Sequence, residues 1–215
     1  MIKVNKRYFK EGWKDWKREF FKYKYFILIF LAIIGIASYL DYLSGTYVSA
    51  ARVADVPDLI LDNIRPYDFS FLFVYGYLAL VFLLFLYPLI FHISKLHKVI
   101  GQFSVLIALR SFFIIFTHLQ TPLDAIHASF PWPFQGLYFL NDLFFSGHVA
   151  VSFLGFLLYK ENKIKYVFLI GAILMGIAVL GMHQHYSIDV FAAFFITYGS
   201  YKIGRFLFKR IKPVF

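Results

Sequence analysis

The sequence predicts an all-α integral membrane fold of six transmembrane helices, led in by an amphipathic N-terminal interfacial helix, with both termini cytoplasmic. Three observations predict it: the apolar bulk of the chain, the lengths of its apolar runs and the one-sided placement of its cations. With 60% hydrophobic and only 16% charged residues, the 215-residue chain is too apolar for an ordinary soluble domain. Runs of about 17 to 25 apolar residues suit a bilayer, and six fall at about 25–42, 69–92, 99–118, 146–159, 165–182 and 186–207. Hydrocarbon offers backbone groups no water, so these runs are expected as helices despite their many Phe, Ile, Tyr and Val residues.

The elements follow in order. The lead over 1–24 carries Phe9, Trp13, Trp16 and Phe20 at helical spacing among lysines, which predicts a basic helix on the anionic membrane surface. The first run has a long basic lead and no convincing small-residue cleavage site, so it is expected to stay as an anchor. Between the first two runs, Pro57 and Pro66 bracket a short predicted surface helix. The fourth run is short and calls for help from its approach segment. Without an internal repeat or low-complexity linker, 25–210 reads as one membrane domain. Absence of cysteine excludes disulfide and thiolate chemistry.

The net charge of +10 would suit nucleic acid if it were spread over the chain, but its placement says otherwise. Nine of the 22 basic residues precede the first run. Lys95 and Lys98, then Lys160, Lys163 and Lys165, then Lys202, Arg205, Lys209, Arg210 and Lys212 fall on the same side. The opposite loops hold Arg52 and Arg65 beside Asp41, Asp55, Asp58, Asp62, Asp68, Asp124 and Asp142. This asymmetry places the cation-rich side in the cytoplasm. Nucleic acid is therefore not an expected partner.

In that topology "DLFFSGHVAVSF" and "HQHYSIDVFAAFF" open the fourth and sixth spans at the same outer face. His185 and Asp189, four apart, would share one helix face, with the carboxylate orienting the imidazole. Ser146 suits an N-cap and Gly147 lets a ligand approach the backbone, where free N–H groups can hold phosphate. His148 follows directly. Arg110, about 10 Å inside the third span, needs an anion such as Asp189, Asp142 or a bound phosphate. His92, His97, His118 and His127 read as packing or interfacial residues, and His183 stays ambiguous.

Three segments carry a resemblance to the sphingomyelin synthase family, in the superfamily of type 2 phosphatidic acid phosphatases. "NDLFFSGH" resembles the family's Asp, three residues, Ser-Gly-His; "HYSID" resembles its His-Tyr-Thr-(Ile or Val)-Asp; "RSFFIIFTHLQTP" resembles its Arg, Thr, Pro pattern in the third span. The acidic "DVPDLILDNIRP" is similar to its first outer loop. "FLND" departs from the family's Cys-x-Gly-Asp approach. The resemblance implies lipid phosphotransfer through a phosphohistidine, without metal or cofactor. It implies His185 as nucleophile, Asp189 as its orienting group, and His148 as acid and then base. Arg110, Asp142, Ser146 and Gly147 would serve the phosphate or headgroup.

The implied partners are membrane lipids: a glycerophospholipid donor and ceramide or diacylglycerol as acceptor, reacting at the non-cytoplasmic face. A homo-oligomer is compatible with this. The alternative is a lipid phosphatase with water as acceptor. The superfamily's phosphatases carry a Lys-x6-Arg-Pro motif and an Arg six residues before the nucleophile, where this chain has Val179. A diester carries less charge than a monoester and needs fewer cations, which favours the transferase. A transporter, with Arg110 and Asp189 lining a pathway, is a third and weaker expectation.

Overall fold

The computed structural model describes residues 6–137 and 141–209, and every long element in them is helical. The order is α1 (Lys6–Ala50), a π-helical turn (Leu72–Gly76) running into α2 (Tyr77–Phe91), α3 (Ile93–Ile114), α4 (Gly147–Leu158), α5 (Lys165–Gly181) and α6 (Ser187–Phe208). Three stretches are long and apolar enough to cross a membrane: Gly12–Ala50, Leu72–Phe91 and Ile93–Ile114. The helices α4 and α5 are apolar but shorter.

The lead and the first span form one uninterrupted helix, with no break where the sequence suggested a separate surface element. Its aromatic face is in use. Trp13, Trp16 and Phe20 stack in series, and Trp16 Nε1 donates to Leu89 O at 2.7 Å. Trp16, Phe20 and Tyr23 pack against Ile93, Leu96 and Ile100 at the start of α3. The side chain of Phe9 lies outside the described residues. Further along, α1 runs against α3, where Gly101 admits the Phe30 ring: a Cβ there would lie 2.5 Å from it. The opposite face of α1 exposes Leu28, Ile29, Ile33 and Ile36, as a lipid-facing helix should.

The second layer is α4 against α5 and α6, around a core that includes Leu84, Leu106, Val149, Leu154, Phe168 and Val179. Two expectations are corrected. The segment between Pro57 and Pro66 is not a surface helix; it makes one 3₁₀ turn, Leu61–Asn63, and is otherwise irregular. The fourth span is not lengthened by its approach either. At 12 residues α4 is about 18 Å long, and Asn141, Leu143, Phe145 and Ser146 before it are buried but non-helical. Irregular backbone survives at such depth only where protein or a wet cavity surrounds it.

Candidate active site

Residues of α4 and α6 meet at their N-terminal ends: Ser146 N donates to Asp189 O at 3.2 Å. The two polar stretches singled out in the sequence are thus tied together. His185 departs from its expected helical position, since it precedes Tyr186, the N-cap of α6. Asp189 is the third helical residue and fully buried. Its Oδ2 accepts the Tyr186 N–H at 3.0 Å and lies 3.6 Å from His185 Nδ1. One carboxylate therefore closes the helix and faces the imidazole, leaving Nε2 as the ring's other nitrogen. The two groups are brought together by a capping box rather than along a helix face, and at 3.6 Å they make no hydrogen bond: His185 Nδ1 is buried without a partner.

Arg110 is held by two acids, Asp142 Oδ1 at 2.8 Å and Asp41 Oδ1 at 3.4 Å, and its Nε donates to Phe145 O at 3.4 Å. Asp189 is not its partner. Because α3 ends at Ile114, Arg110 lies only about 6 Å from the helix end. The missed residue is Asp41, which stands inside α1 and also accepts from Ser111 Oγ at 3.2 Å. A carboxylate within the apolar run "IASYLDYL" was the available signal. Gly147 has a defined role here: a Cβ would sit 3.3 Å from Arg110 Nε, so glycine lets the guanidinium lie on the start of α4. Ser146 occupies the N-cap position, but its Oγ makes no capping bond and is buried without a partner.

His148 is enclosed by aromatic rings. Phe73 stacks on it at 4.0 Å and Tyr77 lies at 4.2 Å, both placed by the π-helical turn and the start of α2. Such turns re-aim side chains and recur at functional sites. A hydrogen bond ties the ring to the Phe73 backbone, and Nε2 is buried without a partner. His148, His185, Arg110, Asp142, Gly147 and Asp41 all line one cavity of about 290 Å³. Phe103, Leu106, Ile107 and Val151 extend it along an apolar wall. Asp189 and Ser146 are not among its lining residues.

The surrounding loops explain why these groups hold their places. Asp58 Oδ2 accepts Ser187 N at 2.7 Å and Ser187 Oγ at 2.8 Å, while Oδ1 accepts the backbones of Ile60 and Leu61. Burial acts to raise the Asp58 carboxyl, but the hydrogen bonds from Leu61, Ser187 and Ile60 outweigh it and hold it below the usual carboxylate range. Tyr186 OH lies 2.9 Å from both Asp55 Oδ1 and Gln120 O. Asn141 and Thr121 exchange bonds, Thr121 N to Asn141 Oδ1 at 2.9 Å and Asn141 N to Thr121 Oγ1 at 3.0 Å. Asn141 has φ 61°, so the residue standing at the family's glycine is one that tolerates the left-handed region. His183 (φ 53°) pairs with Asp124 at 2.9 Å and does not line the cavity. Among the described residues, no group of three or more His, Cys, Asp or Glu is placed to hold a metal ion.

A family profile described as "PAP2 superfamily C-terminal" matches residues 141–205. That segment runs from Asn141 through Ser146, Gly147, His148 and His185 to beyond Asp189, and so contains every candidate except Arg110 and Asp41. Over 175 residues the chain is also 28% identical to Sphingomyelin synthase-related protein 1 of Mus musculus, covering 66% of this chain and 36% of that protein. The chain thus spans about a third of the length of this curated relative. Together these findings support the resemblance to the sphingomyelin synthase-like branch of the PAP2 superfamily. No solved structure matches.

Proposed function

We propose that the protein transfers a phospho-headgroup from a glycerophospholipid to a lipid alcohol such as ceramide, through a phosphohistidine on His185. The observation that carries this over a phosphatase is the charge around the cavity. Its only permanent cation among the described lining residues is Arg110, which already faces Asp41 and Asp142. A phosphate monoester dianion would meet two carboxylates and one guanidinium, whereas a zwitterionic diester brings one negative charge and a cation that Asp142 or Asp41 can face. At Val179, where the superfamily's phosphatases carry an arginine, the side chain is fully buried in the apolar core.

In the first displacement, His185 Nε2 attacks phosphorus and the P–O bond to diacylglycerol breaks. The imidazolium of His148 gives its proton to the departing oxygen. Asp189 fixes the His185 tautomer through Nδ1 and stabilises the charge that develops on the ring. In the second displacement, the acceptor hydroxyl attacks phosphorus, His148 takes its proton and the P–N bond breaks. The N–H groups at the start of α4, beside Gly147 in the cavity wall, would receive equatorial phosphate charge. Lipid tails would lie along the apolar wall of the cavity, with the reaction at the outer membrane face.

The test is mass spectrometry of lipids after incubating the purified protein with ceramide, diacylglycerol and mixed glycerophospholipids. A new headgroup-bearing sphingolipid with matching diacylglycerol, absent with His185→Ala, is the expected result. Only inorganic phosphate released from phosphatidic acid would replace the transferase with the phosphatase.

A further inference from the structure

The wall of the cavity holds one polar atom that packing does not explain, the hydroxyl of Tyr77 at the start of α2. The Tyr77 ring is fixed from two sides, tilted on His148 at 4.2 Å and edge-on to Phe130 at 6.3 Å. Phenylalanine would make both contacts equally well. Tyr75, on the other side of Gly76, is 53% exposed and lies against Phe71, as a ring turned to lipid should. Tyr77 turns inward instead, into a wall that also carries Phe73, Phe103 and Leu106.

The surroundings of the hydroxyl fix its direction. Among the described residues it has no hydrogen-bond partner, yet unlike the partnerless Ser146 Oγ and His148 Nε2 it is not closed off by protein atoms. It interacts electrostatically with Arg110, Asp41 and Asp142, which stand in the same wall on α3, on α1 and in the turn before α4. An open phenol among those three groups points into the cavity. Thr121 Oγ1, another hydroxyl of the wall, is already tied to Asn141 N at 3.0 Å. A phosphate that reaches His185 here meets a guanidinium shared between two carboxylates. What its nonbridging oxygens then need is a neutral donor, and a phenol, with a pKa of about 10, is a stronger one than an alkyl hydroxyl.

We infer that Tyr77 is a further catalytic residue, whose hydroxyl donates a hydrogen bond to one of the two nonbridging oxygens of the phosphate as charge builds there. The inference rests on the reading of this cavity as a phosphate-transfer site, and not on which lipid gives or takes the group.

The test compares wild type with Tyr77→Phe, as full chains in neutral detergent. The substrates are a short-chain glycerophospholipid with ceramide, and the separate Rp and Sp isomers of a nitrophenyl phosphorothioate diester. Loss of the hydroxyl is expected to lower kcat about 10²-fold, with KM and Tm little changed because the ring still packs. Sulfur accepts hydrogen bonds poorly, so wild type should favour the isomer that leaves oxygen facing Tyr77, and the variant should shrink that preference roughly tenfold. An unchanged kcat, or a fall that slows both isomers alike, would overturn the inference and leave headgroup transfer standing. If hydrolysis of phosphatidic acid is the only reaction found, kcat for that reaction is compared instead, so the transferase can fail while the Tyr77 contact holds. Failure of wild type to turn over any phosphate ester would sink both together.

Discussion

One oxygen of Asp189 accepts the Tyr186 N–H and lies 3.6 Å from the His185 ring. Asparagine in its place keeps an acceptor for the backbone but loses the charge that steadies an imidazolium. The expected result for Asp189→Asn is therefore a fall in kcat on the order of 10²- to 10⁴-fold with Tm little changed. Loss of the fold together with activity would mean that the carboxylate matters as a cap alone. At this scale the sequence was readable where a residue type and its spacing state a chemical need. Ser146, Gly147, His148, His185 and Asp189 were singled out that way, and of these Gly147, His148 and His185 line the cavity. Asp41 was not, because its partner Arg110 is 69 positions away and the acid sits near the point where α1 was expected to end. Phe73 and Tyr77 were invisible for another reason: in an apolar run, nothing distinguishes a ring that packs on lipid from one that packs on His148.

At the scale of elements, irregular segments rather than helices set the site. Three of the six expected spans are long and apolar enough to cross a membrane, but the short α4 and the buried turn before it depend on tertiary bonds such as Asn141 with Thr121 and Asp58 with Ser187. The acidic loop after α1 looks like a polar connector in sequence. In the structure Asp58 braces the start of α6. Its carboxyl is held low, so it contributes stability above its unfolded pKa of about 3.9, and that contribution is lost as pH falls below this through the folded value. Asp58→Ala is expected to lower stability by about 2 to 3 kcal/mol at pH 7, with the difference from wild type shrinking below pH 4. Melting curves at the two pH values check this. An unchanged Tm at pH 7 would contradict the brace.

Across the whole molecule, the bundle divides labour between its ends. The N-terminal ends of α4 and α6 assemble two histidines, one arginine and two acids around an apolar-walled cavity, and the other end gathers the cations. On the proposed reading, a chain that takes lipid headgroups from a membrane surface and keeps their tails in hydrocarbon has reason to put its polar chemistry at helix mouths. The seam of α1 against α3 was not predictable from hydropathy, which gives the length of a span but not its neighbours. Nor did composition show that the aromatic lead continues into the first span.

The central claim is that His185 carries the headgroup covalently while His148 handles the proton. A nitrophenyl phosphodiester donor needs no proton on its leaving group, so His148→Ala should still complete the first displacement and then stall. Rapid mixing of that variant with the donor should release one equivalent of nitrophenolate, and mass spectrometry under neutral conditions should find the phospho-headgroup on the peptide containing His185. The additional change His185→Ala should remove both signals. Continuous turnover by His148→Ala with no adduct, or an adduct on another residue, would contradict the account.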